Sequence, residues 1–186
     1  MSSNCMAVLP CVPREWESVF RMGSDVFANP PAMCQTMAQV RPACLADVPA
    51  LAHIEGACFA SDRLARRQFR YLLTRGHALV LVAWVEARIQ GYGLLLLRSN
   101  SCSARLYSLA IHPARRRMGL GQMVLCALEG AAVAQGLTSI HLEVRTDNAS
   151  AIAFYQGLGY RPFATCADYY ADHQDACRMR KRLDTK

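Results

Sequence analysis

The stretch Arg116-Arg117-Met118-Gly119-Leu120-Gly121 decides the fold, because it joins a β-rich run, Arg105 to Ile111, to a run of helical period. Downstream of it Leu120, Val124, Leu128 and Ala131 recur at helical spacing. That period predicts a helix from about Gly119 to Gln135, with Gly136 where such a helix stops. A strand that turns straight into a helix leaves the first helical N–H groups without carbonyl partners, at the positive end of the helix dipole. Gly119 and Gly121 let a ligand approach that backbone closely, and Arg115, Arg116 and Arg117 add charge. The segment therefore predicts an anion site suited to a pyrophosphate. Taken alone, the same residues would also serve as a tight, solvated turn.

Working outward, Gln39 to Pro42 reads as a short strand, and Asp47 as the cap of a helix that contains Pro49. Ser61 to Thr74 reads as a second helix, capped by Ser61 and Asp62. Ala78 to Val85 and Arg88 to Leu97, separated by Glu86-Ala87, predict an antiparallel hairpin, and Arg105 to Ile111 extends it to a meander. Beyond the central helix come a strand at Ile140 to Val144, a helix at Asn148 to Leu158 stopped by Gly157 and Gly159, and a strand pair, Tyr160 to Thr165 with Ala176 to Leu183. This order predicts an α/β fold: a mixed, twisted sheet with a parallel pair at its centre and helices on both faces. Residues 1–37 hold Pro10, Pro13, Pro30 and Pro31 and no sustained period, so they read as a poorly ordered extension with a short helix at Glu15 to Met22. Residues 38–186 form the domain.

With 53% hydrophobic and 19% charged residues, the 186-residue chain suits one globular domain with a real core. Its longest apolar runs, Ala78 to Val85 and Leu94 to Leu97, fall well short of the roughly 20 residues that span a bilayer. No membrane partner is expected. Pro10, Pro13, Arg14 and Glu15 interrupt anything like a signal peptide, and cytoplasm is the default compartment. Nine scattered cysteines, with no C-x-x-C pair and no histidine at ligand spacing, read as reduced, mostly buried thiols rather than as a zinc site. The formal charge of +7 is almost all arginine, since Lys181 and Lys186 are the only lysines. Dispersed arginine of this kind argues against nucleic acid as the main partner.

Two further segments carry chemistry. Along Ser139 to Arg145, Ile140, Leu142 and Val144 share one strand face and leave His141, Glu143 and Arg145 on the other, a polar face that suggests a cleft. Glu143 is a candidate general base, with His141 in reserve; an ion pair with Arg145 or another arginine is the structural alternative. Asn148 caps a helix with Ala151 one turn on and Tyr155 two turns on, the pattern N-x-x-A-x-x-x-Y. By themselves Asn148 could be a plain cap and Tyr155 a core aromatic.

Together, R-x-x-G-x-G at Arg116, Gly119 and Gly121 and the Asn148 to Tyr155 signature resemble the GNAT acetyltransferases. More narrowly, Leu109-Ala-Ile, Leu142-Glu-Val-Arg, Ala151-Ile, Leu158-Gly-Tyr, Asp168-Tyr-Tyr and Asp175-Ala resemble the ribosomal-protein-alanine N-acetyltransferase branch, over about residues 39 to 183. The resemblance implies acetyl-CoA as co-substrate and no metal. It implies that Leu109, Ala110 and Ile111 line the acetyl and pantetheine arm, and that Arg116, Arg117, Met118, Gly119, Leu120, Gly121 and Gln122 wrap the pyrophosphate. Asn148 would touch the pantetheine, Glu143 would be the base, and Tyr155 the acid that protonates the leaving thiolate. Tyr169 and Tyr170 would grip the acceptor.

The chemistry agrees: an amine attacks a thioester only when unprotonated, and the departing thiol, with a pKa of about 8.5, takes a proton readily from a tyrosine near 10. Direct transfer in a ternary complex needs no enzyme nucleophile. The expected acceptor is the N-terminal α-amine of a protein, such as a ribosomal-protein alanine. A small amine or lysine side chain, a non-catalytic acyl-CoA-binding module, and an arginine-rich nucleic-acid binder are the alternatives. Oligomeric state is not legible.

Overall fold

Ala78–Val85 is apolar at every position instead of alternating, a pattern that requires a strand covered on both faces. In a computed structural model, which describes residues 38–59 and 63–184, this strand lies inside a seven-stranded sheet. In chain order the strands are β1 (Gln39–Pro42), β2 (Ala78–Val85), β3 (Arg88–Leu96), β4 (Ser103–Ile111), β5 (Ser139–Arg145), β6 (Arg161–Cys166) and β7 (Ala176–Arg182), and in space they run β1-β2-β3-β4-β5-β7-β6. Only β4 and β5 pair in parallel, at the centre, and the other pairs are antiparallel. The β2–β3 turn places Glu86 and Ala87 at φ 50° and 59°, the left-handed pair whose twist suits a two-residue hairpin.

Helices cover both faces. From α1 (Val48–Cys58) and α2 (Arg66–Thr74), Leu51, Ile54 and Phe69 pack on Val80, Val82, Tyr92 and Leu94. On the opposite face lies α3 (Leu120–Ala134), so close to β3 that a Cβ at Gly93 would fall 2.6 Å from Leu128 Cδ1 and 2.8 Å from Val124 Cγ1. Glycine is thus the residue that lets helix and sheet meet here. The last helix, α4 (Ala149–Gly157), lies between β5 and β6 in the chain.

Four expectations change. The second helix starts at Arg66 rather than Ser61: Leu64, ahead of it, is buried and donates its N–H to Glu55 Oε1 at 3.0 Å. Ser61 and Asp62 lie outside the described residues, as do residues 1–37 with the helix expected at Glu15 to Met22. Asp47 does stand at the N-cap of α1, but its carboxylate makes no cap bond. Instead it accepts from Cys44 N–H at 2.8 Å and from both Arg41 Nη atoms at 2.7 and 2.9 Å. It thereby closes the 3-10 turn Leu45–Asp47 and ties β1 to α1. Next, β4 begins two residues early, at Ser103, because Ser103 and Ala104 pair with Ser139 and Ile140. Finally, the cysteines are not mostly buried: among the described residues all are free thiols, with Cys44, Cys102 and Cys126 exposed and Cys58, Cys166 and Cys177 half-buried.

Candidate active site

The parallel pair at the centre opens. β4 and β5 pair from Ser103↔Ser139 only as far as Leu106↔Leu142, while β4 stays bonded to β3 through Ile111↔Gly91 and β5 to β7 through Arg145↔Ala176. Past Leu106 the two strands therefore part, and Leu109, Ala110 and Ile111 have β3 on one edge and no strand on the other. The chain then turns into α3 just beyond that opening. There Arg117 and Gly119 both adopt left-handed backbone, with φ of 60° and 77°. From Arg117 through Gln122 no backbone N–H finds an acceptor among the described residues, and the first to do so is Met123, bonded to Gly119 O at 3.0 Å. A Cβ at Gly119 would have nothing within 4 Å. Free amides, a helix N-terminus and arginines form the cradle expected of an anion site. Arg116 Nε donates to Ile111 O at 3.3 Å, and Met118 and Gln122 are exposed, whereas the Leu120 side chain is core and leaves only its backbone to a ligand.

The polar face of β5 lies beside the opening. Glu143 carries its carboxylate between two guanidiniums: Arg105 Nε donates to Oε2 at 2.7 Å, and Arg178 Nε stands 3.3 Å from Oε1 without hydrogen-bond alignment. Neither partner is Arg145, which pairs with Asp147 and Asp172 and stacks over Tyr170. His141 Nδ1 is 3.2 Å from Ser103 Oγ. Burial holds its pKa below the usual histidine value; Glu143 opposes this, and Arg178, Arg105 and Arg180 reinforce it. The imidazole is therefore neutral at pH 7 and able to accept a proton.

Asn148 Oδ1 caps α4 by accepting from Ala151 N–H at 3.1 Å and also accepts from Ser150 Oγ at 3.0 Å, which leaves its amide NH2 for a ligand. The same helix reaches the glycine loop: the Phe154 ring lies 3.5 Å from where a Gly121 Cβ would be, with Ile111 Cγ1 at 3.7 Å. Tyr155 packs edge-on against Phe154 and Tyr160 at 5.2 and 5.7 Å. Burial raises its pKa, and nearby Tyr170 raises it further, so the phenol keeps its proton at neutral pH. Burial and Tyr169 push Tyr170 up to about 12. Tyr169 Oη accepts from Arg105 Nη2 at 2.5 Å, and the two tyrosine rings meet edge-on at 5.1 Å. A chain of contacts thus runs from Glu143 through Arg105 and Tyr169 to Tyr170. Among the described residues, no cluster of His, Cys, Asp or Glu could hold a metal.

Sequence reasoning missed Arg105 and Arg178, which hold Glu143, although Arg178, Arg180 and Arg182 alternate along β7 in a period of two that could have flagged them. It also missed a buried polar line: Tyr92 Oη donates to Glu55 Oε2 and lies 2.8 Å from Ser108 Oγ on β4. No spacing announces that contact, since the residues come from three separate elements.

The fold is shared with known proteins. The catalytic subunit NAA10 of the N-terminal acetyltransferase A complex of Arabidopsis thaliana is 30% identical over 155 residues, covering 81% of this chain and 80% of that one. The ribosomal protein bS18-alanine N-acetyltransferase of Escherichia coli K12 is 29% identical over 133 residues, covering 67% and 81%. The crystal structure of the ribosomal-protein-S18-alanine N-acetyltransferase from Escherichia coli matches with a TM-score of 0.73 at 25% identity, over 81% of this chain and 96% of that one. The acetyltransferase (GNAT) family model matches residues 48–160, which run from the start of α1 through the glycine loop to the end of α4. The chain therefore belongs to the GNAT acetyltransferase family and is an enzyme of its kind, similar to the ribosomal-protein-alanine N-acetyltransferases.

Proposed function

We propose that this acetyltransferase uses acetyl-CoA to acetylate the N-terminal α-amine of a protein, such as the alanine of a ribosomal protein, by direct attack in a ternary complex. The observation that carries the reading is the opening between β4 and β5, with Glu143 on the strand beside it and the helix that bears Tyr155 packed through Phe154 against Gly121 of the amide cradle. Acetyl-CoA supplies an activated acyl carbon and a thiol leaving group. The unpartnered amides of Arg117 to Gln122, with Arg116, would hold its pyrophosphate, and the free edge of Leu109, Ala110 and Ile111 and the amide of Asn148 would hold its pantetheine arm. Glu143 removes the proton of the incoming ammonium through a water, because both its oxygens already face guanidiniums. An α-amine, with a reference pKa of about 7.7 to 8.0, needs much less help than a lysine near 10.4. Tyr155 Oη protonates the departing sulfur, and its raised pKa keeps it loaded. Tyr169 and Tyr170 flank the acceptor. The names of the similar proteins, an N-terminal acetyltransferase subunit and a ribosomal protein bS18-alanine N-acetyltransferase, support a protein acceptor.

The test is mass spectrometry of reactions that offer acetyl-CoA with a panel of peptides, lysine-containing N-blocked peptides and small amines. Acetylation at the peptide α-amine, with one CoA released per transfer, is expected. Acetylation of small amines or lysines alone, or acetyl-CoA binding without turnover on any amine, would overturn the reading.

A further inference from the structure

Register places four basic side chains in one row across the C-terminal half of the sheet. Arg105 on β4 is the partner of His141 on β5, His141 of Arg180 on β7, and Arg180 of Arg161 on β6. Direct partners project from the same face, so the row stands side by side over three strand spacings, roughly 14 Å. Arg178 and Arg182 flank Arg180 on that face. Glu143 on that face is already shared by Arg105 and Arg178. Among the described residues Arg161, Arg180 and Arg182 pair with no carboxylate, and Arg161, Arg180 and Arg182 are exposed. His141 is neutral and Arg105 is met by Glu143, but Arg180 and Arg161, like charges directly opposite in the sheet, repel, and no carboxylate among the described residues offsets them. Phe163 stiffens it instead, lying 5.0 Å from the Arg178 guanidinium and 4.4 Å from that of Arg180.

The geometry points to an acceptor polypeptide that carries acidic side chains directly after its N-terminal residue, with the row Arg105, His141, Arg180 and Arg161 as their docking surface. This rests on the reading of the chain as an N-terminal acetyltransferase. The row begins at Arg105, the residue that also holds Glu143 and Tyr169, so it is continuous with the place where the amine reacts. An extended chain rises about 3.3 Å per residue, so the row serves the second to fourth acceptor residues. Nucleic acid fits less well: Phe163, the aromatic on which a base would stack, already has two guanidiniums against its ring.

The test compares peptides that share one N-terminal residue and carry Asp/Glu, Asn/Gln or Lys at positions two to four. The acidic set is expected to exceed the amide set about tenfold in kcat/KM, through KM, with the advantage shrinking as salt is raised. The double variant R161E/R180E should lose that advantage and favour the lysine set. Equal kcat/KM across the panel, or a wild-type preference for lysine, would overturn the inference and leave N-terminal acetylation standing. Strong inhibition of peptide acetylation by a short RNA, with no acidic advantage, would reassign the row to nucleic acid. Acetylation of small amines with no peptide activity would instead remove the reading beneath it, and binding of the N-acetylated acidic peptide, measured by calorimetry, would then have to be absent too.

Discussion

Replacing Tyr155 with Phe removes one oxygen and leaves the ring where it is. The ring is held edge-on by Phe154 at 5.2 Å and Tyr160 at 5.7 Å, contacts that phenylalanine keeps. Burial and Tyr170, with no hydrogen bond, govern the hydroxyl's pKa, so its loss orphans no partner and stability should change by less than about 0.5 kcal/mol. Loss of a general acid slows a reaction by about 10² to 10⁴, and a thiolate near pKa 8.5 leaves well enough to favour the lower end. A fall in kcat of about 100-fold is therefore expected, equivalent to roughly 2.7 kcal/mol of barrier. Because the phenol's pKa is raised, wild-type kcat should lose no activity to Tyr155 ionisation between pH 6 and 9, and the deficit of the variant should be constant over about that range. The assay is CoA release under saturating substrates, paired with calorimetric titration of CoA. An unchanged kcat, or a loss matched by weaker CoA binding, would refute the assignment of Tyr155 as the acid.

Stability offers independent checks. Glu55 is buried at 3% exposure, and desolvation raises its pKa although Leu64 N–H, Tyr92 and Arg63 oppose it. A folded state that holds this proton more tightly than the unfolded chain is favoured at low pH and loses stability as pH rises from about 4.3 through the folded pKa. Melting curves of wild type and Glu55→Gln should thus diverge over that window, wild type falling relative to the variant; parallel curves would contradict the burial argument. Asp47→Ala should cost about 2 kcal/mol in denaturant unfolding, since it leaves Cys44 N–H without its acceptor and removes both carboxylate bonds of Arg41, and a loss below about 0.5 would show the turn to be held otherwise. Ala87→Gly relieves left-handed backbone in the β2–β3 turn and should gain about 0.5 to 1 kcal/mol by the same measurement; destabilisation would rule that geometry out.

What the sequence revealed followed physical periodicity. β-rich runs located β2 and β3 and period-two alternation located β5, each within a residue of its observed bounds, and the four-four-three spacing located α3. Glycines beside a helix start marked the amides of Arg117 to Gln122, because the consequence of a strand-to-helix turn is local. What stayed hidden depends on register. Whether Glu143 meets Arg145 two residues away or Arg105 and Arg178 across strands is decided by sheet order: Arg178 is its direct partner on β7, nearer than a neighbour two along its own strand, and Arg105 reaches it diagonally from β4. The start of α2 was misplaced because a helix-capping pattern at Ser61 and Asp62 says nothing of the tertiary pull of Glu55 on Leu64 N–H. The fate of the Asp47 carboxylate was likewise settled by Arg41, on a strand that no local rule connects to it.

The central claim, direct transfer between Glu143 and Tyr155, is tested most directly by a crystal structure with a bisubstrate analogue in which a peptide N-terminus is joined through an acetyl bridge to the sulfur of CoA. The account predicts pyrophosphate oxygens on the amides of Arg117 to Gln122, the sulfur within about 3.5 Å of Tyr155 Oη, and the peptide nitrogen within one water of Glu143. A sulfur beyond about 5 Å from Tyr155 Oη, or a peptide nitrogen with no path to Glu143, would contradict it.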